Sequence, residues 1–170
     1  MDNKQGYVDP DPFGRETDNL VLKCEECIAR LKSVETQISE LKKKREEIFD
    51  VIKSVNVIIE KQEIASRTFF EEIEDGVAQI KASKYLLGRR NRKELIRTIR
   101  SETKPKITKI CEAEREQDKL TRRVEGLFQE WLEINKKINY LKNVRENEYN
   151  NLVTIEDLLY NLRNDSYVKW

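Results

Sequence analysis

The sequence contains no histidine and only three cysteines, five glycines and three prolines. Histidine is the commonest general base and the commonest metal ligand, so its absence excludes most catalytic triads and most zinc or iron sites. The scarcity of turn-forming residues argues against sheets and layered α/β folds. No apolar run approaches the roughly 20 residues that a membrane span requires. We therefore expect neither an enzyme nor a membrane protein, and we expect no cofactor and no small-molecule ligand.

Charged residues are the abundant class in this sequence. They make up 38% of the chain, and hydrophobic residues make up another 38%. This composition is typical of long helices that are exposed along most of their length. The net charge is +1, yet residues 81–109 contain eleven lysines and arginines and only two glutamates. The balanced total therefore conceals one strongly basic segment.

Helix breakers and composition divide the chain into five segments. We predict an all-α fold of long, extended coiled-coil helices, because glycine and proline together number only eight and half of them lie in residues 1–14, where two Asp-Pro pairs occur. A break or kink is predicted near residues 101–105, since Pro105 lacks a backbone N–H. The predicted segments are a flexible acidic arm at 1–19, a first coiled-coil helix at 20–87, a basic joint at 88–105, a second coiled-coil helix at 106–165 and a C-terminal tail at 166–170.

Apolar residues recur at alternating steps of three and four along both predicted helices. A sustained repeat of 3.5 residues predicts that a helix wraps around another helix. The residues predicted to form this seam against a partner helix are Leu31, Val34, Ile38, Leu41, Ile48, Ile52, Val55, Ile59, Val124, Leu127, Trp131, Ile134, Ile138, Leu141, Leu152, Ile155, Leu159 and Leu162.

Two arrangements would bury these seams. The two helices could form an antiparallel hairpin that turns at the basic joint, or each could pair with another chain. The polar residues Arg45, Arg145 and Glu148 interrupt the seams and would oppose like charges in an in-register homodimer. We therefore favour a hetero-oligomeric coiled coil with a different protein over a self-contained hairpin.

Cys24 and Cys27 form a CxxC motif, which redox sites and zinc sites also use. No predicted strand precedes the motif, and Cys111 is the only other cysteine that could supply a ligand. Both cysteines also fall on seam positions, where a free cysteine behaves as a small apolar residue. We therefore interpret the motif as packing rather than chemistry.

The basic joint is predicted to contact an anionic partner. Lysine and arginine bind nucleic-acid phosphates or acidic protein surfaces, and the third interpretation is a solvated helix face. Tyr85 is the only aromatic residue between positions 81 and 109, so base stacking is not indicated. The residues expected to contact RNA or an acidic protein are Lys84, Arg89, Arg90, Arg92, Lys93, Arg97 and Arg100.

Two stretches together carry a family resemblance. Residues 84–96, KYLLGRRNRKELI, are similar to a basic family motif with an Asn-Arg-x-Glu core. In the family an isoleucine and a proline follow this core, at a spacing similar to that of Ile99 and Pro105 here. Residues 154–165, TIEDLLYNLRND, are similar to a Thr-Ile-x-acidic-Leu segment, and Arg145 lies nine residues before it. In this order and separation, the two stretches resemble the family of THO complex subunit seven, from the nuclear assembly that couples transcription to messenger RNA export.

The resemblance covers residues 60–165 and implies a nuclear, non-catalytic scaffold subunit. It implies pairing along the helices with the fifth subunit of the THO complex, in an assembly with the large second subunit that engages a DEAD-box RNA helicase and nascent ribonucleoprotein. The residue pattern by itself equally suits a coiled-coil subunit of a cytoskeletal, kinetochore or vesicle-tethering complex, for which a cytoplasmic location is expected. A third hypothesis is a nucleic-acid binder that acts alone through the basic joint.

Overall fold

Two long α-helices account for nearly all of the described chain. The computed structural model describes residues 12–168, in which α1 spans Pro12–Leu86 and α2 spans Arg89–Val168. Only Leu87 and Gly88 separate the two helices, and this described range contains no strand. The prediction of an all-α fold of long helices is confirmed.

The chain divides into two units, and each pairs a stretch of α1 with a stretch of α2. Among the described residues, we call 12–45 and 133–168 the terminal unit, and 46–132 the turn unit. Each unit therefore has one interface between two helices of the same chain.

In the terminal unit, two hydrogen bonds join α1 to α2. Arg45 Nη1 donates to Asn135 Oδ1 at 2.8 Å, and Arg30 Nε donates to Glu148 Oε2 at 3.0 Å. Residue numbers fall along α1 as they rise along α2, so the two stretches are antiparallel. The buried apolar side chains of this unit are Cys27, Val34, Ile38, Ile134 and Ile138.

The turn unit has the same antiparallel pairing. Gln117 Nε2 donates to Glu63 Oε1 at 2.7 Å, and Lys106 Nζ lies 2.7 Å from Glu72 Oε2. The buried apolar side chains of this unit are Ile48, Val55, Ile99 and Ile110.

The turn between the helices is much shorter than the predicted basic joint at 88–105. The N–H of Leu87 donates to the carbonyl of Ser83 at 3.1 Å, and the N–H of Arg92 donates to the carbonyl of Gly88 at 3.0 Å. One helix therefore ends and the next begins within two residues. The rest of the predicted joint belongs to the first turns of α2.

Pro105 does not interrupt α2, so the prediction of a break near residues 101–105 is wrong. The alternative, a kink of the helix there, stays a prediction. Pro105 lies on the exposed face of the helix, where water can hydrate the carbonyl that loses its donor. Ile99 and Ile110 are buried on either side of it along the sequence. Burying each side chain contributes about 1.5–3 kcal/mol, which together offsets the roughly 3 kcal/mol cost of an internal proline.

The helix ends also differ from the predicted boundaries. Although 1–19 was predicted as a flexible arm, α1 begins at Pro12. Proline is favoured at the first helical position, because its fixed φ suits the helix and no N–H is needed there. Residues 166–168 of the predicted tail belong to α2. Residues 1–11 and 169–170 lie outside the described part of the chain.

Candidate interaction surfaces

Every residue of the predicted partner-helix seam is buried or half-buried. Burial recurs every three or four residues, which is the pattern typical of a coiled coil. In each unit the other helix of the same chain lies against the seam, which is the hairpin arrangement. Pairing with a different chain, which we favoured, stays a prediction. The seam residues of the terminal unit are Leu31, Val34, Ile38, Leu41, Ile134, Ile138, Leu141, Leu152, Ile155, Leu159 and Leu162, and those of the turn unit are Ile48, Ile52, Val55, Ile59, Val124, Leu127 and Trp131.

The polar seam residues Arg45 and Glu148 have partners within the chain. Arg45 hydrogen-bonds Asn135, and Glu148 accepts a hydrogen bond from Arg30. Arg30 Nη2 also donates to Cys27 Sγ at 3.1 Å. The hydrogen bond to Glu148 is the main reason that the pKa of Arg30 is raised. These two polar positions therefore do not require a second chain to supply the complementary group.

Arg145 does not lie on the seam, so the prediction that it interrupts the seam is wrong. Arg145 is exposed, whereas the neighbouring Val144 is half-buried. The steps from Leu141 to Val144 and from Val144 to Glu148 are three and four residues, so the alternation continues through an apolar side chain. The helix thereby keeps the Arg145 guanidinium in water.

Sequence reasoning missed the part of the α2 seam that precedes residue 120. The spacing of three and four continues there, but several positions hold small or polar residues, so an apolar repeat does not mark them. The buried and half-buried seam residues of this stretch are Arg92, Ile96, Ile99, Thr103, Lys106, Ile110, Ala113 and Gln117.

The facing part of α1 also includes small and polar residues, beside the apolar Phe69, Ile73 and Ile80. A Cβ atom added to Gly76 would lie 3.0 Å from Ile99 Cγ2, so α1 and α2 approach closely at this position. Gln62 and Ser66 are half-buried on the seam, and Gln62 Oε1 is buried without a hydrogen-bond partner. The seam of the turn unit is therefore less apolar than that of the terminal unit.

Cys24 and Cys27 lie on the α1 seam, where Cys24 is half-buried and Cys27 is buried. Burial raises the pKa of the Cys24 thiol, and the negative charge of Glu156 adds to the effect. A raised pKa makes a thiol a poorer nucleophile and a poorer metal ligand. Within residues 12–168, no three cysteine or carboxylate side chains are grouped to hold a metal ion. Burial and the raised pKa favour the packing interpretation.

Most of the predicted anionic-contact residues are exposed in the turn unit. Arg92 is the exception, because it is half-buried on the seam and its Nε is buried without a hydrogen-bond partner. It is therefore less accessible to a separate partner than the other predicted residues. The exposed members of the set are Lys84, Arg89, Arg90, Lys93, Arg97 and Arg100.

The basic segment also carries exposed apolar side chains beside the turn. Tyr85 is 84% exposed and Leu86 is 79% exposed, the largest values among the large apolar residues of the described chain. Lys84 Nζ lies 5.8 Å from the centroid of the Tyr85 ring. This surface therefore presents apolar groups and positive charge together.

Comparisons of the chain with protein-family models, with curated proteins and with solved structures find no match. No helix within residues 12–168 is long and apolar enough to cross a membrane. The structure defines a class, an all-α protein built from antiparallel helix pairs. The family resemblance stays a hypothesis.

Proposed function

We propose that this protein is a non-catalytic coiled-coil scaffold subunit of a multiprotein complex. The observation that carries this proposal is the exposure of apolar side chains: among the described residues, nine are buried, whereas twenty large ones are exposed. Two paired helices bury one seam and leave their flanks uncovered. Apolar flanks of a helix pair are the surfaces on which further helices of a bundle pack.

The family resemblance directs the proposal to the THO complex, in the nucleus, with its fifth subunit as the helical partner. In the second resembling stretch, Ile155, Leu159 and Leu162 are half-buried seam residues, which any coiled coil would require. The first stretch, residues 84–96, is mostly exposed, so packing against α1 does not dictate most of its residue types. The first stretch therefore carries more of the argument for this particular complex.

For the basic segment, we propose contact with an acidic protein face rather than with RNA. Phosphate binding would use the exposed lysines and arginines but would leave Leu86 in water. An acidic protein surface can neutralise the charge and cover the apolar side chains at the same time. The exposure of Tyr85 and Leu86 beside Lys84 supports this choice.

Affinity purification of the full chain from its native cells, followed by mass spectrometry, tests the proposal. We expect stoichiometric recovery of THO subunits, with the fifth subunit crosslinked to the helices. Recovery of a cytoskeletal, kinetochore or vesicle-tethering complex would contradict the THO assignment and preserve the scaffold function. A chain that purifies alone as a stable monomer would contradict both.

The same purification distinguishes the two anionic partners of the basic segment. Changing Arg89, Arg90 and Lys93 to Glu should leave the helix content unchanged, because Glu is also a good helix former. We expect loss of one protein subunit while RNA stays with the complex. Loss of RNA instead, with an affinity that falls steeply with salt in the unmodified protein, would indicate a phosphate contact.

A further inference from the structure

Five exposed apolar residues of the turn unit share one position relative to the seam. Phe49, Phe70 and Val77 each directly follow a seam residue of α1, and Ile107 and Phe128 each directly follow a seam residue of α2. They are 47%, 50%, 44%, 49% and 49% exposed, in the order given. We call this set the lateral flank. The heptad repeat places its α1 members along one side of α1 and its α2 members along one side of α2.

The two helices present these residues on the same side of the turn unit. Val77 and Ile107 line one open groove together with Ile99 and Arg100. The contacts between Glu72 and Lys106 and between Glu63 and Gln117 fix the register of the helices.

This register sets which apolar residues of the lateral flank are level with each other. It places Phe70 level with Ile107, and Phe49 level with Phe128. The two apolar pairs are separated by three heptads on each helix, which corresponds to about 31 Å.

The surface between the two apolar pairs is acidic. All of its charged side chains are exposed. Each lies at the same heptad position as the lateral flank or four residues after such a position, which is the adjoining place on the helix surface. The carboxylates are Glu60, Glu63, Glu114, Asp118 and Glu125, and the cations are Lys53 and Arg67. Lys53 Nζ lies 4.7 Å from the centroid of the Phe49 ring, at the edge of this surface.

The charge changes sign beyond the pair formed by Phe70 and Ile107. Arg100 and Lys104 line the groove there, beside Val77, and they outnumber Glu74, the exposed carboxylate at an equivalent heptad position. Along the lateral flank the order is therefore an apolar pair, an acidic surface, a second apolar pair and a basic surface. A ligand that follows this order must carry positive charge between two apolar groups and negative charge beyond one of them.

A second copy of this chain cannot match both the charges and the two apolar pairs of the lateral flank. Copies stacked in the same direction would bring Glu63 and Glu114 of one chain onto those of the other, and like charges brought together at an interface cost several kcal/mol in general. Copies stacked antiparallel with Phe49 on Phe70 would likewise bring Asp118 near Asp118. Copies stacked antiparallel with Phe70 on Phe70 would bring Glu114 near Arg100, but Phe49 would then lie beyond the end of α1 of the other copy, and its apolar pair would stay uncovered. A different chain can match the charges and both apolar pairs, so it fits better.

We propose that the lateral flank of the turn unit binds an amphipathic helix of a different protein. That helix carries apolar side chains three heptads apart, lysine or arginine between them, and aspartate or glutamate beyond the end that meets Arg100. This inference rests on the proposed scaffold function, because it specifies the surface and the chemistry of one partner. The lateral flank adjoins the basic segment, because Arg100 belongs to both.

Site-specific photocrosslinking in the intact complex tests this assignment. Benzoylphenylalanine replaces Phe70 in one full-length chain and Phe128 in another, and Ile58 in a control chain. Ile58 is 46% exposed and directly precedes the seam residue Ile59, so it lies on the opposite flank of α1. We expect crosslinks from positions 70 and 128 to one helical segment of a single different protein, with cations between the two crosslinked sites. We expect no crosslink from position 58 to that segment.

Several outcomes would overturn the proposal. Crosslinks from positions 70 and 128 to a second copy of this chain, or to a segment without intervening cations, would contradict it. An intact complex without crosslinks from either position would also contradict it and would leave the scaffold function standing. A chain that purifies without any stoichiometric partner would contradict the scaffold function and, with it, this inference.

Substitutions on the lateral flank give an independent measurement with the crosslinked partner segment as a peptide. Phe70→Glu combined with Ile107→Glu is expected to weaken binding of the peptide at least tenfold, and Glu114→Lys combined with Asp118→Lys is expected to do the same at low salt. The matched control Ile58→Glu should bind as the unmodified chain does. Circular dichroism must show equal helix content in all variants. Equal affinity of all variants would overturn the proposal.

Discussion

The terminal unit and the turn unit share one architecture but differ in what lies between their helices. In the terminal unit the buried side chains are aliphatic or cysteine, and the polar residues Arg45 and Glu148 each have a hydrogen-bond partner on the other helix. In the turn unit the seam includes Gln62, Ser66 and Gly76. One repeat can therefore produce both a mostly apolar seam and a seam with more small and polar residues.

The difference indicates which unit depends more on a partner. On α1 of the turn unit, Gln62 and Ser66 occupy the seam while Val57, Ile58 and Ile64 are exposed. The apolar residues of this stretch are thus partly displaced from the seam to the outer surface. A helix that is apolar on several sides usually packs against more than one neighbour. We therefore expect the turn unit to gain more stability from binding than the terminal unit.

The largest expected effect comes from a charge in the seam of the terminal unit. Ile138 is 1% exposed, so Ile138→Asp places an unpaired carboxylate in the interface. We expect the free energy of unfolding to fall by about 3–5 kcal/mol, measured by urea denaturation followed by circular dichroism. Tyr140→Asp is the control, since Tyr140 is 68% exposed in the same unit. Similar losses for the two variants would contradict the seam assignment.

The second prediction concerns the close approach of the helices in the turn unit. Gly76→Leu should destabilise the protein by about 1–3 kcal/mol, because the new side chain meets Ile99. Gly126→Leu is the matched control, since a Cβ there meets no atom within 4 Å. The control should be neutral or stabilising by up to about 1 kcal/mol, because leucine is the better helix former. Thermal unfolding of both variants gives the comparison, and a stabilising Gly76→Leu would contradict the close approach.

A third substitution should improve the weaker seam. Gln62→Leu removes a buried oxygen without a hydrogen-bond partner and adds apolar contact, so we expect the stability to rise by about 1–2 kcal/mol. The same change at Arg45 should have the opposite sign, because it removes the hydrogen-bond donor to Asn135. Urea denaturation of both variants measures the difference. If both variants raise or both lower the free energy of unfolding, the two units do not differ in how well their polar seam residues are hydrogen-bonded.

The smallest expected effect concerns the ion pairs that join the helices. In the terminal unit Arg30 and Glu148 pair at 3.0 Å with side chains 51% and 19% exposed, and in the turn unit Lys106 and Glu72 pair at 2.7 Å with side chains 29% and 46% exposed. One member of each pair is well exposed, and water and salt screen exposed charges. Double-mutant cycles should therefore show a small coupling of similar size in the two units, which falls as salt is added. A much larger coupling in one unit, or a coupling that salt does not change, would contradict this expectation.

The sequence was sufficient to predict the helices and most of the seam, because apolar residues mark them directly. It was insufficient between residues 92 and 117, where Thr103, Lys106 and Gln117 occupy seam positions that only their spacing identifies. The effect of Pro105 was mispredicted, because a proline on an exposed helix face is tolerated where the same residue on the buried face would not be.

The choice between a hairpin and a second chain could not be made from periodicity alone. An apolar seam specifies that a helix is needed opposite, but not which chain supplies it. The pairing of Arg45 with Asn135 gives the register, and neither residue's type reveals the other in advance. The lateral flank was missed for a related reason, because its residues are recognisable as one surface only after the two helices have been aligned.

The two-residue turn at Leu87 and Gly88 has a consequence for the order of folding. The contacts that join the helices span 54 residues at Glu63 and Gln117, 90 at Arg45 and Asn135, and 118 at Arg30 and Glu148. Closing the longest of these loops first costs the most chain entropy, whereas closing them successively from the turn adds only a short loop at each step. Folding should therefore nucleate beside the turn and proceed towards the chain termini. A flexible Gly-Ser insertion after Gly88 should slow folding more than it speeds unfolding, which stopped-flow fluorescence of Trp131 can measure.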